Sequence, residues 1–304
     1  MRVARTTRSI VGRMTTTSLP GGTYRIADDL DLTRVGYGAM QLAGPHVFGP
    51  PADHDEAVRV LRTVVDLGIT HIDTAEFYGP HVTNELIREA LAPYPEDVHI
   101  VTKVGSVRDA KGNWVPTREP DDLVAQVHEN LRTLGLDRLD VVNIRMGGFD
   151  APEPGSIAPQ VEALARLQEE GLVRHIGLST VSAEQLAEAQ SYVPIVCVQN
   201  MYNVARRQDD ALVDLTASQG IAYVPYFPLG GFSPIQSGAL DRVAARLEVS
   251  RLTVALSWLL QRSPNMLLIP GTSSVAHLRD NIASAGFVLP DDAVAELDAI
   301  GTAA

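Results

Sequence analysis

The segments LDVVNI (Leu139–Ile144), IAPQVEALARLQEE (Ile157–Glu170) and HIGLS (His175–Ser179) follow one another along the chain. The first and third are short runs rich in β-branched residues, which is typical of buried strands, whereas the second spaces its apolar residues three and four positions apart, which is typical of an amphipathic helix. Strand, helix and strand in this order predict a βαβ unit with two parallel strands in one sheet.

The same alternation extends to both sides of this unit. The predicted strands are Thr33–Tyr37, His71–Asp73, Ile100–Val104, Leu139–Ile144, His175–Ser179, Val196–Asn200, Ala222–Tyr226 and Met266–Ile269. The predicted helices that alternate with them are Asp53–Leu67, Val82–Leu91, Asp121–Leu134, Ile157–Glu170, Ala183–Ala189, Asp209–Gln219, Thr253–Gln261 and Ser274–Ala285.

Eight strands that alternate with helices predict an α/β fold, a single-domain (β/α)₈ TIM barrel. The length leaves room for a short N-terminal β-hairpin at the entrance (Thr23–Thr33) and an extra C-terminal helix (Asp291–Ile300). The alternative is an open, doubly wound sheet, which places a Gly-x-Gly-x-x-Gly turn after its first strand. The first strand here leads into GYGAMQ (residues 36–41), which lacks the third glycine.

Composition restricts the class of function. The chain has 304 residues, 45% hydrophobic, and a formal net charge of -12, which argues against a broad nucleic-acid or anionic-membrane surface. No apolar run reaches the roughly 18–20 residues of a membrane-spanning helix. Cys197 is the only cysteine, so no disulfide can form within the chain, and we expect a buried thiol and a cytoplasmic protein.

The first residues differ from the rest of the chain. The segment MRVARTTRSIVGRM (residues 1–14) has four arginines and no acidic residue. It lacks the apolar core of a secretory signal. We expect residues 1–20 to be a disordered extension and residues 21–304 to form the barrel; a mitochondrial-type address and a native start at Met14 are the alternatives.

Polar side chains follow two neighbouring predicted strands. Asp73 ends the second strand, Tyr78 follows five residues later, and Lys103 lies in the third strand. Reactive groups of such barrels sit at the carboxyl ends of the strands. A buried lysine needs a counter-charge, which Asp73 can provide. We expect Lys103 to shift the pKa of Tyr78 towards the phenolate, so that Tyr78 acts as a general acid towards a carbonyl oxygen. Alternatively, Asp73 and Lys103 are a buried structural pair.

Other polar groups have simpler interpretations. The sequence His71-Ile72-Asp73 resembles part of a metal site, but no second histidine pair accompanies it, so we expect no metal. Small polar groups at Ser179, Thr180 and Gln199 suit a planar carboxamide or cap helices. The segment IPGTSS (residues 269–274) leads into a helix N-terminus, which favours a phosphate or is only a helix cap.

Taken together, Asp73, Tyr78, Lys103, Gln199 and the final segment IPGTSSVAHLRDN (residues 269–281) resemble the aldo-keto reductase family over nearly the whole chain. The resemblance implies a (β/α)₈ barrel with NADP(H) extended across its top. It also implies that hydride passes from the nicotinamide to a carbonyl carbon while a tyrosine protonates the oxygen, without a metal.

Transferred to this chain, the resemblance gives Tyr78, Lys103 and Asp73 as catalytic residues. The family usually has a histidine as the fourth catalytic residue, but this chain has Arg145 there. Arginine does not release its proton near neutral pH. Arg145 could orient the carbonyl, lower the pKa of Tyr78 further, hold an anionic substituent, or only pair with a nearby acid.

The resemblance also implies a set of residues that bind NADPH, with NADH as the less favoured cofactor. Thr180 replaces the usual asparagine, Gly271 a common lysine and His277 a common arginine, so the preference for NADPH is less secure than binding itself. The implied cofactor-binding residues are Gly38, Met40, Asp73, Ser179, Thr180, Gln199, Tyr226, Phe227, Pro228, Leu229, Gly230, Gly271, Thr272, Ser273, His277, Asp280 and Asn281.

Within the family, the segments GYGAMQLAGP (residues 36–45), FYGPHVTN (residues 77–84) and VNIR (residues 142–145) resemble the bacterial pyridoxal-reducing branch. That resemblance implies NADPH-dependent reduction of pyridoxal to pyridoxine. From the residues alone we expect only a small carbonyl substrate that approaches Tyr78 past Phe48, Phe77 and Trp114.

Two other classes of function remain open. The unusual Arg145 is compatible with a cofactor-binding regulatory subunit that has little catalytic activity. A lyase or isomerase that uses Lys103 as a Schiff base is disfavoured, because Asp73 keeps that lysine protonated. Nothing in the sequence indicates an oligomeric state.

Overall fold

A computed structural model describes residues 19–231 and 237–300. The predicted extension, residues 1–20, lies outside the described residues except for its last two. The strands are β1 Thr23–Ala27, β2 Leu30–Thr33, β3 Tyr37–Gly38, β4 His71–Asp73, β5 His99–Val104, β6 Ser106–Arg108, β7 Trp114–Pro116, β8 Leu139–Arg145, β9 Val173–Ser179, β10 Ile195–Gln199 and β11 Ala222–Tyr223. The α-helices are α1 His54–Asp66, α2 Val82–Leu91, α3 Pro120–Leu134, α4 Ala158–Glu169, α5 Ala183–Gln190, α6 Asp210–Ser218, α7 Gly238–Arg246, α8 Arg251–Arg262, α9 Val275–Ala285 and α10 Asp291–Asp298.

Seven strands form one parallel sheet in the order β3-β4-β5-β8-β9-β10-β11. Residues 266–271 close the sheet, since Met266 pairs with Tyr223 while Leu268 pairs with Val35 and Gly271 with Gly38. The predicted eighth strand, Met266–Ile269, is therefore present as isolated bridges that join the two edges. The closed sheet with helices around it is the predicted (β/α)₈ barrel.

The N-terminal hairpin of β1 and β2 closes the end of the barrel where the strands begin. Leu30 and Leu32 pack on interior residues such as Val141. Arg174, at the start of β9, donates a hydrogen bond to the carbonyl oxygen of Asp29 at 2.6 Å. The predicted hairpin is confirmed, but it lies opposite the carboxyl ends of the strands, so the expected position at the entrance is wrong.

Local capping explains why several helices begin and end where predicted. Asp53 accepts a hydrogen bond from the Glu56 backbone N–H at 2.9 Å and so caps α1. Gly135 ends α3 with a φ of 67°, a left-handed conformation that glycine adopts without strain. The prediction for α2 is confirmed at both ends, and α10 ends at Asp298, two residues before the predicted end.

The β6–β7 hairpin and helix α7 were not predicted. The hairpin of β6 and β7 follows β5 and stands at the carboxyl end of the barrel. Helix α7 begins after Ser237, whose side chain accepts a hydrogen bond from the Leu240 N–H at 3.3 Å. Its first residue is a glycine, which weakens the sequence signal for a helix.

The interior is mainly apolar, and its buried polar residues include Asp73, Lys103 and Gln199. Most buried residues lie between the barrel and its helices, and a smaller cluster fills the barrel near the N-terminal hairpin. Cys197 belongs to the smaller cluster, and burial raises the pKa of its thiol to about 12. Among the described residues, no helix has the length and apolarity to cross a membrane.

Candidate active site

Asp73 and Lys103 form a buried pair at the carboxyl ends of β4 and β5. Lys103 Nζ donates hydrogen bonds to Asp73 Oδ1 at 2.5 Å and to the carbonyl oxygen of Thr74 at 2.9 Å. Gln199, at the end of β10, donates from Nε2 to the other oxygen, Asp73 Oδ2, at 2.8 Å. Only 2% of Asp73 and 5% of Lys103 is exposed. The two oxygens of one carboxylate thus connect strands from separate parts of the sheet.

Tyr78 lies beside this pair, on the loop between β4 and α2. Lys103 Nζ is 5.3 Å from the centre of the tyrosine ring, which is 7% exposed. The loop turns at Tyr78, because its N–H donates to the carbonyl oxygen of Ala75 at 3.1 Å and its own carbonyl accepts from the Thr83 N–H at 3.2 Å. Phe77 packs edge-on against Tyr78 with ring centres 5.3 Å apart. The structure therefore brings Asp73, Lys103 and Tyr78 together, as predicted.

The ionisation of Tyr78 differs from the sequence-based expectation, whereas that of Lys103 agrees with it. Burial raises the pKa of the Tyr78 phenol, and the Lys103 ammonium opposes this shift without reversing it. The expected shift of Tyr78 towards the phenolate is wrong, because the cost of burying a negative oxygen exceeds the attraction of the ammonium. Burial alone would lower the pKa of Lys103, but the Asp73 carboxylate raises it overall. At neutral pH the site holds a protonated phenol beside a paired ammonium.

Arg145 ends β8 and holds the wall of the site. Its guanidinium donates to Thr180 Oγ1 at 3.0 Å, to the Gly148 carbonyl oxygen at 2.6 Å and to the Phe149 carbonyl oxygen at 3.1 Å. It also lies 5.8 Å from the centre of the Tyr226 ring. Within the described part of the chain, no carboxylate forms an ion pair with Arg145, so the alternative that it only pairs with a nearby acid finds no partner.

Thr180 is backbone-strained. Its φ is 56°, a left-handed value that a β-branched residue seldom adopts. The residue is 1% exposed, and its hydroxyl lies 3.3 Å from the Tyr226 hydroxyl. A side chain on Gly147 would meet the Thr180 carbonyl oxygen at 2.5 Å. Glycine at position 147 therefore leaves room for the close approach of Thr180, and the hydrogen bond from Arg145 holds the Thr180 side chain.

A cavity of about 640 Å³ opens above these groups. Residues predicted to be catalytic or cofactor-binding line it from both halves of the chain. The predicted site residues in its wall are Gly38, Met40, Asp73, Phe77, Tyr78, Lys103, Trp114, Arg145, Gln199, Tyr226, Phe227, Pro228, Leu229, Gly271 and Asn281. The structure thus gathers most of the predicted site in one cavity.

Several predicted cofactor-binding residues lie behind or beside the wall. Ser179 is fully buried, and its hydroxyl is 3.5 Å from Thr180 Oγ1. Thr272 Oγ1 accepts a hydrogen bond from the Ser274 N–H at 3.2 Å, and Ser273 lines a neighbouring cavity of about 330 Å³. The other predicted residues outside the wall of the larger cavity are Thr180, Gly230, His277 and Asp280.

The first turn of α9 carries an unexpected carboxylate. Glu56, from α1, accepts a hydrogen bond from the Val275 N–H at 2.9 Å. The same carboxylate is paired with Arg59 at 2.7 Å, and the bond from Val275 holds its pKa below the usual range. An acidic side chain therefore occupies the positive end of the helix dipole, beside the predicted adenosine end of the cofactor site.

The predicted substrate contacts divide into two groups. Phe77 and Trp114 line the cavity and pack edge-on with ring centres 5.6 Å apart. Phe48 is not in the wall; it packs on the Arg108 guanidinium, which is also 4.1 Å from the centre of the Trp114 ring. Phe48 therefore supports the wall through Arg108.

The unpredicted β6–β7 hairpin supplies wall residues that sequence reasoning missed. Ser106 and Pro116 line the cavity together with Arg118 from the following loop and Phe149 from the loop after β8. The turn of this hairpin contains Asp109, whose side chain accepts hydrogen bonds from the backbone of the turn. The sequence DAKGN (residues 109–113) is a turn signal of the kind that could have revealed the hairpin.

Comparisons with known proteins identify the family. A model of the aldo/keto reductase family matches residues 34–234 and 236–302. The chain is 57% identical over 271 residues to pyridoxine 4-dehydrogenase of Escherichia coli (strain K12), which covers 88% of this chain and 95% of that protein.

Solved structures give the same result for the fold. A thermostable aldo-keto reductase, Tm1743, crystallised with the inhibitor epalrestat, superposes with a TM-score of 0.75 at 29% identity, over 95% of this chain and all of that chain. An aldo-keto reductase of Klebsiella pneumoniae in complex with NADPH superposes with a TM-score of 0.73 at 23% identity, over 91% of this chain and 94% of that chain. The chain therefore belongs to the aldo/keto reductase family and is an NAD(P)H-dependent oxidoreductase of small carbonyl compounds.

Proposed function

We propose that this enzyme reduces pyridoxal to pyridoxine with NADPH. The observation that carries the proposal is the buried set of Asp73, Lys103 and Tyr78 at the base of a cavity of about 640 Å³. The substrate is inferred from the relative of 57% identity, whose name describes pyridoxine oxidation at position 4, the reverse of this reduction.

The residues present suit a nicotinamide dinucleotide. The cavity runs from Tyr78 to Gly271, which precedes α9, and Asn281, which lies within α9, and so has polar groups at both ends. The backbones of Gly38 and Gly271 approach so closely that a side chain on Gly271 would meet the Gly38 carbonyl oxygen at 2.6 Å. Gln199 offers its carbonyl oxygen to the carboxamide, since its amide nitrogen is bound to Asp73. Bound NADPH supplies the hydride.

The proton comes from Tyr78. Burial keeps its phenol protonated at neutral pH, so the hydroxyl can donate a hydrogen bond to a carbonyl oxygen and then the proton itself. The Lys103 ammonium stabilises the negative charge left on the tyrosine oxygen, and Asp73 holds that ammonium in place. Arg145 remains charged and does not transfer a proton; it positions the loop at residues 148–149.

NADPH is the cofactor we propose over NADH. The relative structure with NADPH has the same fold, and the family uses a nicotinamide cofactor. The 2′-phosphate of NADPH would nevertheless be better stabilised by more positive charge near α9. Glycine stands at position 271 and histidine at position 277, and the carboxylate of Glu56 adds a negative charge there. We further propose a cytoplasmic location and the division into an extension (residues 1–20) and one catalytic domain (residues 21–304).

The experiment is an assay of NADPH absorbance with pyridoxal and with a panel of other aldehydes and ketones, repeated with NADH. We expect pyridoxal to give the highest kcat/KM, with NADPH as the better cofactor. Tyr78→Phe should lower kcat by about a thousandfold, at the scale of a lost general acid, while the Kd of NADPH changes less than twofold. Tyr192→Phe, at a tyrosine that is 46% exposed, is the matched control.

Two outcomes would refute parts of the proposal. Full activity of Tyr78→Phe would remove the assigned proton donor. Slow NADPH oxidation with every carbonyl tested, with normal cofactor binding, would instead favour the regulatory subunit that Arg145 first suggested.

A further inference from the structure

A second cluster of polar side chains lies outside the cavity. It consists of Glu76, His81 and Glu129, whose three donor atoms all lie within 4.8 Å of one another. His81 Nδ1 is 3.0 Å from Glu129 Oε1 and 3.4 Å from Glu76 Oε1. Glu76 and His81 are at the two ends of the loop that carries Tyr78, and Glu129 is on α3. None of the three lines the cavity.

The carboxylate of Glu76 has weak compensation: its nearest positive groups are His81 and, farther away, the Arg132 guanidinium. The residue is 7% exposed, and no described donor gives its side chain a hydrogen bond; its one close polar contact is the 3.4 Å approach of His81 Nδ1. A buried carboxylate without a hydrogen-bond donor or a bound cation is unfavourable by several kcal/mol in general. This carboxylate is therefore a group that needs a positive partner.

His81 presents a second unsatisfied atom to the same point. Its Nδ1 is buried and has no hydrogen-bond partner among the described residues, so neither nearby oxygen lies where a ring N–H would point. The backbone holds the residue close to Glu76: the His81 N–H donates to the Glu76 carbonyl oxygen at 2.7 Å. A neutral imidazole nitrogen with a free lone pair is the commonest metal ligand of this type.

Local charge also favours a cation. The Arg132 guanidinium chelates Glu129 with bonds of 2.9 and 2.5 Å and also interacts with Glu76 and Glu85. The three carboxylates outnumber this one guanidinium. The Glu129 oxygen that faces His81, Oε1, is also the one that Arg132 Nη2 binds, so a cation at this point would replace one contact of the guanidinium, whose side chain is 61% exposed.

We propose that Glu76, His81 and Glu129 bind a divalent metal ion, with Zn²⁺ as the favoured species. One imidazole and two carboxylates suit this borderline ion, with water as the fourth ligand. Zinc–ligand bonds of about 2.0–2.2 Å in a tetrahedron place ligand atoms about 3.3–3.5 Å apart. The separations of His81 Nδ1 from the two carboxylates, 3.0 and 3.4 Å, need only small adjustments to meet this geometry, and the two carboxylate oxygens lie within 4.8 Å of each other.

The ion would act on the loop of Tyr78 and not on the carbonyl. It would tie both ends of that loop, Glu76 and His81, to α3 through Glu129. Because the ligands lie outside the cavity, the metal is a positioning group and takes no part in proton or hydride transfer.

The test uses the full-length enzyme after dialysis against a chelator, titrated with ZnCl₂ in a calorimeter and with Co²⁺ in a visible spectrophotometer. We expect one Zn²⁺ per chain and the visible bands of four-coordinate Co²⁺. Glu76→Gln and His81→Asn should each weaken Zn²⁺ binding at least about tenfold. Asparagine tolerates the left-handed backbone of position 81, where φ is 64°.

Glu89→Gln is the matched control, since Glu89 lies on α2, the helix that follows His81, but contacts His54 instead of the cluster. Its Zn²⁺ affinity should stay within twofold of the wild-type value. Added Zn²⁺ should also raise the Tm of the wild type and of Glu89→Gln but not of Glu76→Gln. Absence of Zn²⁺ binding by the wild type overturns the proposal, as does binding that both cluster variants retain; if one variant fails to fold, the other decides.

Discussion

Lys103 Nζ lies 2.5 Å from Asp73 Oδ1, and this contact is buried beneath the cavity. The carboxylate also accepts a hydrogen bond from Gln199, so the pair joins β5 to β4 and to β10. The contact thus has a structural role in addition to the catalytic role proposed above, and the two roles can be separated by mutation.

Lys103→Met should cost stability as well as activity. Removing the ammonium leaves a buried carboxylate with one donor, which typically costs about 3–5 kcal/mol in the free energy of unfolding. The double variant Asp73→Leu/Lys103→Met removes both charges and should recover much of that loss, while both variants stay inactive. Urea unfolding measures the difference, with Lys111→Met at an exposed site as the control. Equal destabilisation of the single and double variants would contradict this account.

Arg145→Met tests whether this arginine holds the wall or takes part in the chemistry. Its hydrogen bonds to the carbonyl oxygens of Gly148 and Phe149 fix a segment that lines the cavity. Loss of these charged bonds should raise the KM for pyridoxal about tenfold, on the scale of one such bond, and lower kcat by a smaller factor. Steady-state kinetics give both values, and Arg138→Met, on the exposed surface, should match the wild type. A fall in kcat with unchanged KM would instead place Arg145 in the transition state.

Local sequence patterns predicted the frame of this molecule well. The helix Val82–Leu91 was predicted at both ends, and β8 differs from its prediction by one residue. Hydrophobic periodicity and helix caps are local properties of the sequence, so they can be recognised without knowledge of the tertiary fold. The grouping of polar residues from different strand ends could also be predicted, because the barrel topology places the carboxyl ends of all strands at one face.

Features that depend on packing were not predictable in this way. The ionisation of Tyr78 depends on how completely the cavity wall covers it, and burial outweighs the ammonium that the sequence suggested as dominant. Phe48 was predicted to touch substrate, but it packs on Arg108, which also contacts Trp114. The carboxylate of Glu56 reaches α9 from a position 219 residues earlier in the chain, which no local pattern shows.

Glu56→Gln should change cofactor preference. The carboxylate of Glu56 accepts the Val275 N–H at the start of α9 and carries a negative charge next to the predicted adenosine end. Its removal should strengthen NADPH binding severalfold relative to NADH, because a 2′-phosphate is attracted to the positive helix end. Fluorescence titration of both cofactors gives the ratio of Kd values. Asp55→Asn removes a charge from the neighbouring position, which is 87% exposed at the side chain, and should leave that ratio nearly unchanged.

An unchanged ratio in Glu56→Gln would show that the adenosine end lies away from this helix terminus. An equal shift in both variants would indicate only a general change in net charge.

His71 should make the fold sensitive to acid. The residue is fully buried under Asp73, neither ring nitrogen has a hydrogen-bond partner among the described residues, and burial lowers its pKa from 6.5 to about 4. Between these two pH values the unfolded chain binds a proton at His71 that the folded chain does not. The contribution of His71 to the free energy of unfolding is therefore fully present above pH 6.5. It falls as the pH approaches 4, by roughly 3 kcal/mol for a pKa shift of this size.

The measurement is the free energy of urea unfolding at several values between pH 7 and pH 4.5 for the wild type and His71→Gln. Glutamine does not titrate, so its curve lacks this loss, and the difference between the two curves should shrink steadily as the pH falls. His54→Gln, at an exposed histidine, should keep the wild-type slope. Parallel curves for the wild type and His71→Gln would mean that the folded chain takes up the proton as readily as the unfolded chain, which a fully buried, unpartnered imidazole should not do.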